Sequence, residues 1–454
     1  MENITIIGSG FCGTALAVHL LSRATGPLRI SLINRSGRLA RGLAYGTHSA
    51  SHILNVPAGR MSLLPDHPSD FLDFARLQMP QARPGDFLPR RLYGDYLQHR
   101  LGHAIAEAAP GVRFSSLCAQ VIDIVEQDDH HRLILEDGQH LDTQRTVIAT
   151  GNFTPATPPS LNELIDDPRY IRDPWQSGAL ERIPASASVL LLGTGLTMYD
   201  MALALQDQGH NGPITALSRR ALLPQAHRDN AEHPIHPELP QRLHLPMRLS
   251  ERLAQLRQLI REAARDGHDW RDLVAALRPL TPLLWQQLND ADRRRFLRHL
   301  QPYWDVHRHR AAPPVAQRIA NLRASGQLRI CAGRVISAHG SDSDLTIEFR
   351  SRGTVQSVHE RYDYLINCTG PSTNLHNLQE PLLRSLLGRG LIVQDTNRLG
   401  LHTDDEYRLL NAAGNPQPKL LLLSPMLRAR YWESTAVPEL RQHAERLAKH
   451  LLEI

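Results

Sequence analysis

The apolar and polar residues of the chain repeat one motif twice. In its first copy, residues 3–7 form a short, largely β-branched apolar run that ends at Gly8, Gly10 and Gly13, and an alanine- and leucine-rich segment follows from Thr14 to Leu21. This order predicts a strand, a glycine-rich turn and a helix, which together begin a dinucleotide-binding unit. The first glycine allows a tight turn, the second lets the backbone approach a pyrophosphate, and the third lets helix and strand pack closely. The helix N-terminus attracts the phosphate charge.

The motif returns about 185 residues further along the chain. The apolar run Ser188–Leu192 meets Gly193 and Gly195, helix-forming residues continue to Gln208, and Met198 stands where the third glycine is usual. A longer side chain at that position predicts less close packing of helix on strand. Two such units are far more specific than one, because together they predict two dinucleotides that face each other.

Each unit also contains a later buried strand that stops at Thr-Gly, within Thr146–Gly151 in the first unit and Tyr362–Gly370 in the second. The chain is expected to leave each domain at these points. We therefore predict an α/β fold with two Rossmann-like dinucleotide-binding domains. Residues 1–155 and 371–454 would form the first domain, and residues 156–370 the second.

The strand-like pattern stops between about residues 225 and 325, in the second domain. His227–Pro246 is rich in His and Pro, and the apolar residues that follow recur at helical spacing. A helical insertion is predicted, with helices at Ser250–Ala264, Trp270–Leu277, Pro282–Leu288, Asp290–Leu300 and Pro314–Ala324. His307 and His309 lie in its densest polar stretch, Tyr303–Arg310. No Cys or carboxylate with ligand spacing accompanies them, so no metal site is predicted.

Composition and charge narrow the class of protein. The chain has 454 residues, enough for two domain-sized cores, and a net charge of +5. Its only lysines are Lys419 and Lys449, so the positive charge is almost all arginine, and no basic block is interleaved with aromatic residues. We therefore expect no nucleic-acid partner. No apolar run reaches membrane-spanning length and no basic segment precedes the first strand, so a cytoplasmic protein without a membrane partner is expected.

The cysteines are too few and too scattered for a redox or metal framework. The four of them, Cys12, Cys118, Cys331 and Cys368, are far apart, and none forms a Cys-x-x-Cys motif. This argues against a structural disulfide framework, a zinc knuckle and the redox disulfide of thioredoxin-reductase-like flavoenzymes.

The end of the second strand in each unit indicates which nucleotide it prefers. In the first unit this strand, Leu28–Ile33, ends at Asn34, where an acidic residue usually holds the ribose hydroxyls; an amide can still hydrogen-bond one. In the second unit Pro213–Leu217 ends at Ser218-Arg219-Arg220. An acid there would repel a 2′-phosphate, whereas a hydroxyl and guanidinium groups bind it, so NADP rather than NAD is predicted. The alternative is two solvated arginines in an arginine-rich chain.

Two loops in the first domain, Arg41–Thr47 and His52–Ser62, mix glycine, proline and small residues with apolar ones. Such loops are typically packed against something rather than solvated. In a flavin domain they would lie against the isoalloxazine ring, with amide donors such as Asn55. A purely structural loop is the alternative.

These segments together resemble the FAD/NAD(P)-binding protein family over essentially the whole chain. The resemblance is carried by Gly8-Ser-Gly-Phe-Cys-Gly13, Ala44-Tyr45, Leu54-Asn-Val-Pro57 with Met61-Ser62, Arg91 with Tyr93-Gly94, Gly193-Thr-Gly-Leu-Thr-Met198, Asn367-Cys-Thr-Gly-Pro371 and Trp432-Glu-Ser-Thr-Ala-Val-Pro-Glu-Leu440. The layout is similar to that of class B flavin monooxygenases, including enzymes that N-hydroxylate amines of amino acids. Two features depart from it: the FxGxxxHxxx(Y/W) signature of many class B monooxygenases is absent, and Asn34 replaces the usual acid.

The resemblance implies FAD at the first unit and NADPH at the second. The implied FAD contacts are Gly8, Ser9, Gly10, Phe11, Cys12, Gly13, Asn34, Arg35, Tyr45, Asn55, Val56, Met61, Ser62, Arg91, Val121, Thr150, Gly151, Trp432 and Thr435. The implied NADPH contacts are Gly193, Thr194, Gly195, Leu196, Thr197, Ser218, Arg219, Arg220, Thr369 and Gly370.

Three functions are consistent with two nucleotide sites and no redox cysteines. In a monooxygenase, which we favour, NADPH reduces FAD, oxygen adds to form a flavin C4a-hydroperoxide, and one oxygen atom goes to a nitrogen of a small amine or amino-acid-like substrate. In a reductase, electrons pass to another acceptor without oxygenation. The third is a non-enzymatic flavoprotein that senses redox state or scaffolds a partner. His307, Arg308 and Arg310 of the insertion are candidates for binding an anionic group of the substrate.

Overall fold

The computed structural model of the chain describes residues 2–47, 49–228, 242–243 and 247–453. Its strands are β1 (Glu2–Ile7), β2 (Leu28–Ile33), β3 (Val112–Leu117), β4 (Val121–Glu126), β5 (His131–Leu135), β6 (His140–Thr143), β7 (Arg145–Ile148), β8 (Tyr170–Ile171), β9 (Val189–Leu192), β10 (Ile214–Ser218), β11 (Leu328–Gly340), β12 (Leu345–Ser351), β13 (Ser357–Tyr362), β14 (Tyr364–Asn367), β15 (Arg408–Leu410) and β16 (Pro416–Leu422). The α-helices with described bounds are α1 (Phe11–Arg23), α2 (Gly42–Tyr45), α3 (Asp70–Arg76), α4 (Arg90–Ala106), α5 (Leu196–Asp207), α6 (Leu249–Arg265), α7 (Trp270–Leu277), α8 (Thr281–Gln286), α9 (Asp290–Arg295), α10 (Gln301–Arg308), α11 (Pro313–Ala324), α12 (Pro381–Gly388) and α13 (Val437–Glu453). None of these described helices is long and apolar enough to cross a membrane.

A six-stranded sheet in the order β15-β16-β7-β1-β2-β3 organises the N-terminal part of the chain. Strands β16, β7, β1, β2 and β3 pair in parallel, and β15 joins antiparallel at one edge. Residues Ile4–Ile7 of β1 are buried, because a central parallel strand is covered by helices on both faces. Helix α1 packs against α4 and α13. Since β16 and α13 come from the end of the chain, the C-terminal segment returns to this sheet.

A second, antiparallel sheet in the order β4-β5-β6 precedes β7. The amide of Gly138, whose φ is +83°, donates to the carbonyl of Leu135 and closes the turn between β5 and β6. A ring nitrogen of buried His131 hydrogen-bonds Thr146 on β7 at 2.9 Å and ties this sheet to the first one. The Asp137-Gly138 signal in the sequence thus marks a true hairpin.

A seven-stranded sheet in the order β13-β12-β11-β10-β9-β14-β8 organises the second unit. Strands β8, β14, β9, β10 and the start of β11 are parallel, and β12 and β13 continue the sheet antiparallel. The apolar segments Leu328–Ile330 and Val335–His339 both belong to one long strand, β11. β11 pairs in parallel with β10 and antiparallel with β12, and it contains a bulge between Val335 and Ser337.

The helical insertion is formed by α6 to α10 and packs on the C-terminal segment. Trp285 of α8 lies against Trp432 with ring centroids 4.6 Å apart. The predicted helix Asp290–Leu300 ends early, because α9 stops at Arg295 and a wide helical turn follows at Phe296–Leu300. The polar stretch at its end is mostly helix α10. Most of the His- and Pro-rich segment His227–Pro246 lies outside the described residues.

Candidate active site

The first glycine turn forces the backbone into close contact with a neighbouring strand end. Gly8 has a φ of +111°, and a Cβ there would lie 2.6 Å from the carbonyl oxygen of Ala149. A Cβ on Gly13 would lie 1.9 Å from the carbonyl oxygen of Gly8, so this glycine lets helix α1 sit against the turn. Helix α1 begins at Phe11 with extended Gly10 before it and no side-chain cap. Its first amides are therefore free to bind an anion.

A cleft of about 1550 Å³ runs past this turn. Twelve of the predicted FAD contacts line it: Gly8, Ser9, Gly10, Phe11, Cys12, Asn34, Arg35, Tyr45, Val121, Thr150, Gly151 and Thr435. The hydroxyl of Thr150 is buried there and has no hydrogen-bond partner among the described residues. The amide of Asn34 donates to Ser36 and to the Arg38 carbonyl, so it also shapes its own loop. Arg35 pairs with Glu380 at 3.1 Å.

Four predicted FAD contacts lie outside the lining of this cleft and of the inner cavity described next: Gly13, Ser62, Arg91 and Trp432. Ser62 is buried, and its hydroxyl lies 2.9 Å and 2.7 Å from the carbonyls of Leu64 and His67. Trp432 is packed under the guanidinium of Arg428, 4.0 Å from the ring centre. These two side chains therefore stabilise the walls of the site from behind.

An inner cavity of about 230 Å³ lies beside this cleft. The two spaces adjoin, because both are lined by Phe11, Ala44, Tyr45, Arg90, Thr435 and Leu440. The predicted FAD contacts Asn55, Val56 and Met61 line the inner cavity. Its far wall is the insertion, which contributes Arg278, Arg308, His309 and Arg310. The cavity thus lies where the first domain, the insertion and the start of α13 meet.

Of the three predicted substrate contacts, Arg308 and Arg310 line the inner cavity and His307 does not. A ring nitrogen of His307 donates to the Tyr303 carbonyl at 2.7 Å, and its ring stands edge-on to Trp270. Because α10 is a helix, consecutive residues point in different directions, which the sequence stretch alone did not show. No group of three potential metal-ligating side chains is found in the part of the chain that the structure describes.

Ion pairs hold the cationic wall in place from behind. Arg308 lies 2.7 Å from a carboxylate oxygen of Glu433, and Arg278 binds both oxygens of Glu439. Burial, followed by repulsion from Arg278, lowers the pKa of Arg308. Burial and the neighbouring arginines, Arg308 first, hold the pKa of His309 well below its usual range. His309 is therefore a neutral imidazole at the cavity wall.

The second glycine turn repeats the geometry of the first. Gly193 has a φ of +119°, and a Cβ there would lie 2.4 Å from the carbonyl oxygen of Cys368. Its amide donates to the carbonyl of Leu217, as the amide of Gly8 does to that of Ile33. Helix α5 begins just after Gly195, again without a side-chain cap. A second anion-binding helix start therefore lies on the second sheet.

The other predicted NADPH contacts lie around this turn. Thr197 and Gly370 line the large cleft. Thr194 donates to the Leu222 carbonyl at 2.7 Å and lies 2.8 Å from the Ser218 hydroxyl, so both hydroxyls brace the loop after β10. Leu196 packs on the core of the second unit, and both the amide and the hydroxyl of Thr369 donate to the Asn367 side chain. Arg219 is exposed, whereas Arg220 lies 5.6 Å over the Tyr303 ring.

One buried ion pair joins the two units beside the cleft. The Arg90 guanidinium at the start of α4 binds both carboxylate oxygens of Asp200 on α5, at 3.2 Å and 2.9 Å. It also donates to the Ile53 carbonyl at 3.1 Å. The sequence reasoning missed Arg90, Asp200, Arg60, Arg278 and Glu433. Glu433 and Arg60 lie in segments that the sequence singles out, but nothing there shows their roles, because the partners in these ion pairs are far away in the sequence.

Two facing glycine turns on two parallel-stranded sheets, linked by one continuous cleft, define the fold of flavoproteins with two dinucleotide-binding domains. The model of a family described as FAD-NAD(P)-binding matches residues 5–153. The sequence-based prediction of the fold is confirmed.

The solved structures that this chain resembles include two ornithine hydroxylases and a cadaverine monooxygenase. Ornithine N-hydroxylase from Kutzneria sp. 744, solved with reduced FAD, NADP+ and L-ornithine, has a TM-score of 0.66 at 14% identity, over 100% of this chain and 99% of that one. Ornithine hydroxylase from Pseudomonas aeruginosa has a TM-score of 0.64 at 17% identity, with 100% and 99% coverage. The cadaverine monooxygenase of Erwinia amylovora has 0.64 at 13% identity, with 99% and 94% coverage. Among curated proteins, none matches this chain.

Proposed function

We propose that the chain is an FAD- and NADPH-dependent monooxygenase that transfers one oxygen atom of O₂ to a nitrogen of a small amine. The observation that carries the proposal is the inner cavity, because it adjoins the cleft past the first glycine turn and is lined by both the first domain and the insertion. Its position is where a substrate would meet a flavin ring. The fold shared with the amine-oxygenating enzymes above supports this chemistry.

The first unit fits FAD. The close approach at Gly8, the open helix start at Phe11 and the unpartnered buried hydroxyl of Thr150 all suit a bound dinucleotide. Asn55 lines the inner cavity and Thr435 lines both that cavity and the cleft, so the ring would lie in the cleft where the two spaces adjoin. When bound, FAD supplies hydride acceptance and oxygen activation. The cytoplasmic localisation and the domain boundaries proposed from the sequence stay predictions.

The protein's own contribution is to orient the cofactor and to keep water out. Helix α13 begins at Val437, directly after Thr435 and Ala436 on the cavity wall, and its N-terminal dipole would favour negative charge on a reduced flavin. The apolar side chains Phe11, Val56 and Met61 exclude water from the same space.

The cysteines do not support a disulfide reductase, although related folds carry that activity. Cys12 lies in the cleft beside the first glycine turn, and burial raises its pKa to about 12. It is therefore a protonated, poorly nucleophilic thiol at neutral pH. None of the four cysteines belongs to a Cys-x-x-Cys motif, so no redox pair is expected next to the cleft.

The test is product analysis of the FAD-loaded protein with NADPH, oxygen and a panel of small amines. We expect NADPH consumption to be accelerated by the right amine, with a hydroxylamine or a further oxidised nitrogen product formed in a near-stoichiometric amount. If every amine gave only hydrogen peroxide, the monooxygenase proposal would fail and a reductase would replace it. No flavin reduction by NADPH at all would leave the non-enzymatic alternative.

A further inference from the structure

The walls of the inner cavity carry guanidinium groups from three parts of the chain. Arg60 comes from the loop before α3, Arg278 follows α7, and Arg308 and Arg310 come from the end of α10 and the residues after it. Among the described residues that line the cavity there is no Asp or Glu. A small space with this lining attracts anions and repels cations.

Carboxylates behind the wall balance some of these cations but not all. Glu439 pairs with Arg278, and Glu433 pairs with Arg308 at 2.7 Å. Arg90, which also lines the cavity, is paired with Asp200.

Arg60 and Arg310 have no ion-pair partner within the described part of the chain. The charge of Asp269 raises the pKa of Arg310, but Asp269 forms its ion pair with Arg271, at 3.0 Å. Two positive charges at the cavity thus have no carboxylate paired with them among the described residues.

Arg310 shows most clearly that an anion belongs here. Its residue is only 5% exposed, and its Nε and Nη1 are buried without hydrogen-bond partners among the described residues. Burial and the neighbouring Arg308 lower its pKa to about 10, so it is still charged at neutral pH. A buried guanidinium without an anion costs several kcal/mol, and a bound acid group would remove that cost.

Arg60 lines the cavity from the first domain. Burial, with Arg278 and Arg308 nearby, lowers its pKa as well. The oxidised flavin ring is neutral and neutralises neither cation. A cavity of about 230 Å³ has room for a small ligand only. A ligand with a single acid group would pair with only one of the two arginines, Arg60 or Arg310.

We propose that the inner cavity binds a small substrate with two acid groups, one held by Arg310 of the insertion and one by Arg60 of the first domain. The inference rests on the proposed function, from which it takes the reaction, and it adds the class of substrate. The substrate would be an amine that also carries two acid groups. A diamine such as cadaverine would place its two positive charges against the arginines.

The test is calorimetric titration of the FAD-loaded, oxidised protein at low salt with succinate, acetate and cadaverine. Succinate is expected to bind at least about tenfold more tightly than acetate, since it gains a second charge-assisted contact, and cadaverine is expected not to bind. Arg310→Gln and Arg60→Gln should each weaken succinate binding about tenfold or more. The matched control is Arg294→Gln, an exposed arginine on α9, which should leave binding unchanged. Flavin absorbance and Tm show whether each variant is folded and loaded.

Equal affinities for succinate and acetate, or tighter binding of cadaverine, would overturn the inference. So would loss of succinate binding in saturating NADP+, because the arginines would then belong to the dinucleotide. Failure of the reaction gives a different pattern: succinate binds with the predicted dependence on Arg60 and Arg310, but no amine is oxygenated. If a simple amine were oxygenated and succinate did not inhibit the reaction, the proposed monooxygenase function would hold and the proposed diacid substrate would be wrong.

Discussion

At the scale of single residues, the two glycine turns are set by backbone contacts that a side chain would break. Gly8 combines a φ of +111° with a carbonyl oxygen 2.6 Å from the position of its missing Cβ. Gly195 in the second motif has open space where its own Cβ would lie, so the glycines of a motif are not equivalent. The spacing of glycines in the sequence was sufficient to locate the turns, because their requirement is local.

Gly8→Ala should therefore impair both folding and FAD binding. We expect a loss of about 2 kcal/mol or more in unfolding free energy and at least about a tenfold weaker Kd for FAD, since the clash is with backbone that cannot move aside. Denaturant unfolding and FAD titration of the apoprotein measure the two effects. Gly102→Ala is the control, because Gly102 is exposed in α4 with open space around it. Normal FAD affinity in the Gly8 variant would contradict the assignment of this turn.

Arg219→Ala tests the choice of nicotinamide cofactor. Arg219 is exposed at the end of β10, where it can meet a 2′-phosphate, and removing a charge-assisted contact should raise the KM for NADPH about tenfold. The KM for NADH should hardly change, because that cofactor lacks the phosphate. Steady-state kinetics with both cofactors decide the point. Equal effects on NADPH and NADH would remove the 2′-phosphate assignment.

At the scale of elements, the strands were predictable and the insertion less so. Strand β2 was predicted to the residue, because its apolar residues Leu28, Ile30, Leu32 and Ile33 are bounded by Gly26-Pro27 on one side and Asn34 on the other. Helix α10 was read as a polar stretch, since its apolar positions are few and its charged residues face a cavity rather than solvent. The periodicity of a sequence reports burial against a core, and it does not distinguish a polar cavity from bulk water.

Helix α13 carries a buried histidine that should make stability depend on pH. His443 lies 2.9 Å from the Tyr407 hydroxyl and 3.0 Å from the Ser434 hydroxyl, and burial lowers its pKa to about 4. The folded protein therefore binds this proton less readily than the unfolded chain. Its stabilising effect is complete above about pH 6.5 and is lost as the pH falls towards 4.

We expect His443→Gln to flatten the fall in Tm between pH 7 and pH 5, where this one group costs on the order of 2 kcal/mol. The variant should be less stable than the wild type at pH 7, because the two hydroxyls lose a well-placed partner. His376→Gln, at an exposed histidine, is the control and should keep the wild-type slope. An unchanged slope in the His443 variant would show that other groups, such as His19 and His131, govern the pH dependence.

At the scale of the whole molecule, the site is assembled by pairs that are remote in sequence. Arg278 and Glu439 are 161 positions apart, and Arg90 and Asp200 are 110 apart. Glu439 lies in a segment that the sequence singles out, but nothing in the sequence near any of these four residues indicates its ion-pair partner. The cofactor turns could be predicted from the sequence, whereas the arginine-lined cavity depends on how the insertion packs on the first domain.

The pair formed by Arg90 and Asp200 should couple the two units during catalysis. Their side chains are 15% and 10% exposed, so Asp200→Asn would leave Arg90 largely buried without its carboxylate. We expect a loss of about 3 kcal/mol in stability and a KM for NADPH raised several-fold, while the Kd for FAD stays close to that of the wild type.

Asp123→Asn is the matched control, because Asp123 binds Arg389 and Ser385 away from the second unit. It should lower stability without changing the KM for NADPH. If both variants changed that KM alike, the pair would be a structural contact only, and the orientation of the second unit would have to be set elsewhere, for instance by Arg318 and Asp207 at 2.6 Å.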